Sequence, residues 1–129
     1  MTTLSNQIRN SRAGAAYNPF QGVDKKVLFV CSMGILRSAT GARLYARKYN
    51  TRCAGTFEEA LIQVTPLLLE WADEIVFVNE ENFNAVVRNE ELNPLLEARP
   101  FKILDIPDEF EHMHPALVDA FEQQYEVLG

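Results

Sequence analysis

The chain has 129 residues, 47% of them hydrophobic and 23% charged, which is typical of a single folded domain with its own core. The net charge of −6 argues against nucleic acid or an anionic membrane as a partner, and an anionic substrate would need a local positive site. Two cysteines are too few for a disulfide scaffold or a zinc site. No apolar run reaches the length that spans a membrane. These two observations favour a reduced, cytoplasmic setting.

The predicted elements begin near residue 25. Residues 1–24 are polar and contain turn signals, which predicts a flexible or loosely docked N-terminal extension to a domain of residues 25–129. The apolar run of residues 27–30 predicts a strand covered on both faces. Shorter strands are predicted at 52–54, 74–78 and 101–104. Helices are predicted at 38–49, 65–71, 81–88 and 115–127, the first capped by Ser38 and the second opened by Thr65 and Pro66.

Strands that alternate with helices predict right-handed β-α-β units around a parallel sheet. The expected fold class is therefore α/β. It is a three-layer sandwich in which helices flank a four-stranded parallel sheet, with a phosphate-binding loop after the first strand. Ligands of such sheets bind beyond the carboxyl ends of the strands, which is where this loop begins.

The segment CSMGILRS, residues 31–38, joins the first strand to the first helix and has the features of an anion cradle. Backbone N–H groups and the helix dipole favour an anion at a helix N-terminus, and glycine permits a tight loop. The same setting favours a nucleophilic thiolate at Cys31, while the planar fork of Arg37 suits two phosphate oxygens. The segment predicts Cys31 and Arg37 as catalytic and the remaining residues as substrate-binding: Ser32, Met33, Gly34, Ile35, Leu36 and Ser38.

A phosphatase also needs a proton donor for the leaving oxygen. Asp105 and Asp108 follow the fourth predicted strand at the same end of the sheet, and each is a candidate. Both also suit ordinary turn or cap positions beside a proline, so the residues alone leave the choice open. His112 and His114 are either substrate contacts or, more simply, surface residues near a helix start.

Residues 27–38, VLFVCSMGILRS, resemble the active-site segment of the low-molecular-weight protein tyrosine phosphatases. The resemblance extends over about residues 26–128 through similar blocks in the same order: AGT at 54–56, EWADEIVFVNE at 70–80 and IPDEF at 106–110. It implies that Cys31 is the nucleophile, Arg37 the phosphate clamp and Ser38 a support for the thiolate. It also implies Asp108, rather than Asp105, as the general acid and Phe110 as an aromatic wall of the pocket.

The same resemblance implies a phosphomonoesterase acting on phosphotyrosyl proteins through a phosphocysteine, without a metal or other cofactor, as a monomer or weak dimer. Two departures from the family pattern stand out. Gly34 occupies the position of an Asn that usually braces the loop, and the stretch between Gly55 and Trp71 is shorter than in the family. These departures motivate an alternative, a catalytically weak phosphate-binding regulatory module. Arsenate reductase is a further alternative, although only Cys53 would be available for its cysteine relay.

Overall fold

The structure is a computed structural model that describes residues 25–34, 36–107, 109 and 111–127. The predicted extension, residues 1–24, lies outside the described residues, as do Ile35, Asp108 and Phe110. The described part of the chain alternates between strands and helices and forms one sheet, which confirms the expected α/β class.

The four strands are all parallel and lie in the order β2-β1-β3-β4. The chain passes from β1 to β2 on one side and then crosses to β3 on the other. The carboxyl end of β1 therefore lies where the strand order reverses, the usual ligand-binding position of such sheets. All four strands occur where the sequence predicted them, with boundaries that differ by one or two residues: β1 Lys26–Cys31, β2 Asn50–Gly55, β3 Glu74–Phe77 and β4 Phe101–Ile103.

Helices connect the strands: α1 Arg37–Leu44, α2 Pro66–Trp71, α3 Glu80–Val87, α4 Asn93–Glu97 and α5 Pro115–Phe121, which continues into a π-helical segment, Glu122–Val127. Thr65 caps α2 by accepting a hydrogen bond from the Leu68 N–H at 3.2 Å, as the sequence predicted. Two helices differ from the prediction: α1 ends five residues early, and α4 was not predicted. None of the helices in the described part of the chain is long and apolar enough to cross a lipid bilayer.

The side chains of β1 alternate between two hydrophobic cores, one on each face of the sheet. Val27, Phe29 and Cys31 belong to the core beneath α1 and α5, and Leu28 and Val30 to the core beneath α2, α3 and α4. All five are essentially buried. Both faces of the central strand are covered, which accounts for its unbroken apolar run and confirms the three-layer arrangement.

Candidate active site

Cys31 is the last residue of β1 and lies at the point where the strand order reverses. Its side chain is 2% exposed. Two donors or potential donors surround its sulfur: the Gly34 N–H lies 3.1 Å and the Ser38 Oγ 2.9 Å from Sγ. Both contacts can stabilise a negatively charged sulfur. We refer to residues 31–38 as the Cys31 loop, and Ile35 within it is outside the described residues.

Ser38 has a different role from the helix cap that the sequence predicted. The N-cap residue of α1 is Leu36, which makes no side-chain cap hydrogen bond, and Ser38 lies inside the first turn of the helix. Its fully buried hydroxyl is directed to Cys31 instead. The cap prediction was therefore wrong, while the predicted contact between Ser38 and the sulfur is present.

Arg37 connects the Cys31 loop to the β4–α5 loop, residues 104–114. Its side chain is 1% exposed. Nη1 donates to the Ile106 carbonyl at 2.8 Å, and Nη2 donates to Ser32 Oγ at 3.2 Å. Burying a guanidinium is costly unless it is hydrogen-bonded, and these two bonds offset part of that cost. The result is a buried cation one residue before Ser38 at the start of α1, within a chain that is acidic overall.

Backbone hydrogen bonds attach the Cys31 loop to the segment that follows β2. Thr56 N–H donates to the Cys31 carbonyl and Phe57 N–H to the Ser32 carbonyl, both at 2.9 Å. The approach is so close that a Cβ added to Gly55 would lie 2.5 Å from the Ser32 carbonyl oxygen. The Ala-Gly-Thr block recognised in the sequence therefore has a structural reason, because the Cys31 loop packs directly against its glycine.

Gly34 adopts a left-handed backbone, with φ of +76°. A Cβ on Gly34 would lie 2.8 Å from main-chain atoms of Ala54 and Gly55, which cannot move as a side chain can. The bracing Asn of the resembled family would meet the same obstacle in this chain. Contacts from outside the loop, from Thr56 and Phe57, hold the loop instead.

Substitution of Gly34 by Ala is expected to lower the free energy of unfolding by about 1–3 kcal/mol, because the left-handed backbone and the overlap both penalise a Cβ. Urea unfolding measures the change. Met33→Ala, in the next position of the same loop, has no positive φ to strain and is the control, with a smaller loss expected. A Gly34→Ala protein as stable as wild type would contradict this account of the loop.

Asn82 is a buried residue of the site that the sequence analysis missed. It lies in the first turn of α3, and its Nδ2 donates to Ser32 Oγ at 3.2 Å and lies 3.5 Å from Thr56 Oγ1. Asn82 and Val86 are the two buried positions of α3. A polar residue on the buried stripe of a helix is the signal that could have identified it.

The β4–α5 loop, expected to carry the proton donor, reaches the Cys31 loop through Ile106 and Arg37. Gln124 holds the start of this loop, since its side chain bonds to both the N–H and the carbonyl of Asp105. Thr40 of α1 holds its far end by accepting from the Met113 N–H at 2.8 Å. The Asp105 side chain itself is exposed. Asp108 and Phe110, the predicted acid and aromatic wall, lie outside the described residues.

The two histidines occupy the far end of the same loop. His112 Nδ1 lies 3.4 Å from Thr40 Oγ1. Desolvation and then the nearby Arg43 lower the pKa of His112, while a hydrogen bond to the Leu36 backbone acts in the opposite direction. His114 caps α5 by accepting from the Ala116 N–H at 3.1 Å, in agreement with the simpler interpretation of a residue near a helix start.

The second cysteine, Cys53, packs in β2 as predicted and is fully buried. Burial, followed by the proximity of Cys31, raises the pKa of the Cys53 thiol well above its usual range, and the Ser38 hydrogen bond and Arg52 oppose this only in part. Cys53 is therefore a neutral thiol near pH 7, and neutral thiols are poor nucleophiles.

No protein-family model matches the chain, and no curated protein matches its sequence at a significant level. Among solved structures, the chain is similar to Vibrio vulnificus Wzb in complex with benzylphosphonate, with a TM-score of 0.56 and 22% sequence identity. The match covers 79% of this chain and 92% of that chain. Wzb is a low-molecular-weight tyrosine phosphatase, and the likeness confirms that fold for the present chain.

Proposed function

We propose that this chain is a cysteine-dependent phosphomonoesterase that hydrolyses phosphotyrosyl proteins through a phosphocysteine intermediate. The proposal rests on the groups that surround the Cys31 sulfur. Gly34 N–H and Ser38 Oγ lie within hydrogen-bond distance of Sγ, in a loop that also holds the buried guanidinium of Arg37. A nucleophile, a cation for oxyanions and partners for a thiolate leaving group thus come from one strand–loop–helix segment.

The proposed reaction has two in-line displacements. The Cys31 thiolate attacks phosphorus as the bond to the tyrosine oxygen breaks, and Asp108 gives its proton to that departing oxygen. Water then attacks the phosphocysteine, Asp108 takes a proton from the water, and the sulfur–phosphorus bond breaks. Inorganic phosphate is released and the thiolate is restored. These steps need no metal, because Arg37 and the backbone N–H groups supply the positive field around the phosphoryl oxygens.

The ligand of the similar structure supports an aryl phosphate as the substrate class. Benzylphosphonate, bound to Wzb, carries a phosphonate group on a benzyl group and so resembles a phenyl phosphate in shape and charge. A phosphotyrosine side chain presents the same combination of an aromatic ring and a phosphoryl group.

The test is a metal-free kinetic comparison of wild type and Asp108→Asn on para-nitrophenyl phosphate and on a phosphotyrosyl peptide, with EDTA present. Wild type is expected to hydrolyse both. Asp108→Asn is expected to lose about 10²- to 10⁴-fold in kcat on the peptide and less on para-nitrophenyl phosphate, whose better leaving group depends less on an acid.

Asp105→Asn is the matched control, because this exposed carboxylate lies three residues earlier in the same loop. Its rate should stay within about twofold of wild type, since it has no assigned role. Metal-free wild-type protein that binds phosphate but hydrolyses neither substrate would overturn the proposal and favour the regulatory binding module.

A further inference from the structure

We propose that Asn82 is a positioning residue for Arg37, acting through the hydroxyl of Ser32. This inference rests on the proposed function, since it concerns how the cation of the same site is oriented. Ser32 Oγ accepts from Arg37 Nη2 and from Asn82 Nδ2, each at 3.2 Å. All three side chains are at most 3% exposed, so water cannot easily replace either bond.

Hydrogen bonds from two separate nitrogens act on the orientation of the guanidinium. The bond from Nη1 to the Ile106 carbonyl holds one end of the group. The bond from Nη2 to Ser32 fixes the other end and therefore the plane of the group. A planar fork binds two phosphate oxygens well only in the correct plane, so orientation matters more for Arg than for Lys.

Asn82 is itself held firmly by its own helix. It lies in the first turn of α3, and its backbone N–H donates to the side chain of the N-cap residue, Asn79, at 3.2 Å. α3 packs against the sheet through Val86, the other buried residue of the helix. The packing of α3 on the sheet therefore helps to fix the position of the Ser32 hydroxyl, in addition to the backbone of the Cys31 loop.

A second observation separates this role from ordinary packing. Asn82 Oδ1 is buried and has no hydrogen-bond partner among the described residues. An unsatisfied buried acceptor costs about 1–3 kcal/mol, which offsets the gain from the hydrogen bonds of Nδ2, so the amide brings little net stability here. An amide at this position is best explained by what its N–H groups hold, namely Ser32 and, through it, Arg37.

The experiment replaces Asn82 by Leu, which is similar in shape but cannot hydrogen-bond. The melting temperature should stay close to that of wild type, because loss of the Nδ2 hydrogen bond and removal of the unsatisfied oxygen act in opposite directions. With para-nitrophenyl phosphate, kcat/KM should fall about 10- to 100-fold, as expected for a misplaced catalytic group. The inhibition constant for inorganic phosphate should rise about 3- to 10-fold, the value of one lost hydrogen bond.

Two further variants separate positioning from general damage. Asn84→Leu makes the same exchange two residues along α3, at a side chain with no bond to the Cys31 loop among the described contacts, and should leave both constants within about twofold of wild type. Ser32→Ala breaks the same link from its other end and should reproduce the loss. It also keeps the test valid if Asn82→Leu fails to fold. In an Arg37→Lys background, Asn82→Leu should cause no additional loss, because there is no guanidinium left to orient.

The outcomes distinguish this inference from the proposed function. An active wild type whose Asn82→Leu and Ser32→Ala variants keep full rate and phosphate affinity would overturn the inference and leave the phosphatase intact. An additional loss from Asn82→Leu in the Arg37→Lys background would also overturn it. An inactive wild type would overturn the proposed function, and calorimetric titration with inorganic phosphate would then test Asn82. Unchanged phosphate affinity in the variant, or no phosphate binding by wild type, would overturn the inference as well.

Discussion

Replacement of Cys31 by Ser is expected to reduce kcat on aryl phosphates by about a thousandfold or more, the scale on which loss of an attacking group acts. The serine hydroxyl is a far weaker nucleophile than a thiolate, and the contacts from Gly34 and Ser38 do not make up that difference. The rate is measured with EDTA present, and the thermal unfolding of the variant is compared with that of wild type.

Cys53→Ala is the matched control for Cys31→Ser. Cys53 is the other cysteine of the chain, buried on the same face of the sheet, and its thiol is neutral near pH 7. Its removal should change the rate by no more than about threefold, as expected for a residue that does not touch substrate. Cys31→Ser should also still bind inorganic phosphate, because Arg37 and the loop backbone remain. Full turnover by Cys31→Ser would remove Cys31 as the nucleophile.

Arg37→Lys is the second change with a large expected effect, a loss of about 10²- to 10³-fold in kcat/KM. A lysine ammonium is a point charge. It cannot reproduce the two hydrogen bonds that the planar guanidinium donates, one to the Ile106 carbonyl and one to Ser32 Oγ. The measurement is kcat/KM on para-nitrophenyl phosphate together with inhibition by inorganic phosphate. Both should weaken, because the proposed mechanism has Arg37 contact the phosphoryl oxygens in the ground state and in the transition state.

Arg43→Lys provides the control for Arg37→Lys, since Arg43 is an exposed residue of the same helix. It should retain wild-type activity. The melting temperature of Arg37→Lys also has to be measured, because the substitution removes hydrogen bonds from a buried position. A folded Arg37→Lys protein with wild-type kcat/KM and phosphate affinity would show that the guanidinium is not part of the phosphate site.

The features that sequence predicted well depend on neighbouring residues. The apolar run of β1, the glycine of the loop and the Thr65-Pro66 helix start each express a local backbone or burial requirement within a few positions. The order of the elements then fixed where the Cys31 loop would lie, because carboxyl ends of parallel strands meet at one edge of the sheet.

The features that sequence did not predict join distant segments. Asn82 and Ser32 are 50 positions apart, and Thr40 and Met113 are 73 apart. Each pair meets only once the sheet has formed, so no local pattern marks it. The prediction of a helix cap at Ser38 was wrong for a similar reason. A serine before a helical stretch is typical of a cap, but the hydroxyl of Ser38 contacts the Cys31 sulfur instead.

The short helix α4 was missed for a different reason. It spans only Asn93–Glu97, too few residues to display a helical period, and begins with a proline in its first turn that also suits a loop. It completes the core on one face through Leu96 rather than contributing to the site. The error therefore affected the predicted fold boundaries and left the candidate site unchanged.

Mass spectrometry of the peptide that contains Cys31 shows whether this residue carries the phosphoryl group during turnover. Wild-type protein turning over an aryl phosphate without metal is quenched within milliseconds and digested. The Cys31 peptide is expected to carry the mass of one phosphoryl group, absent from Cys31→Ser protein treated identically. Rapid metal-free hydrolysis that persists in Cys31→Ser protein, with no phosphoryl group on this peptide in wild type, would contradict the mechanism.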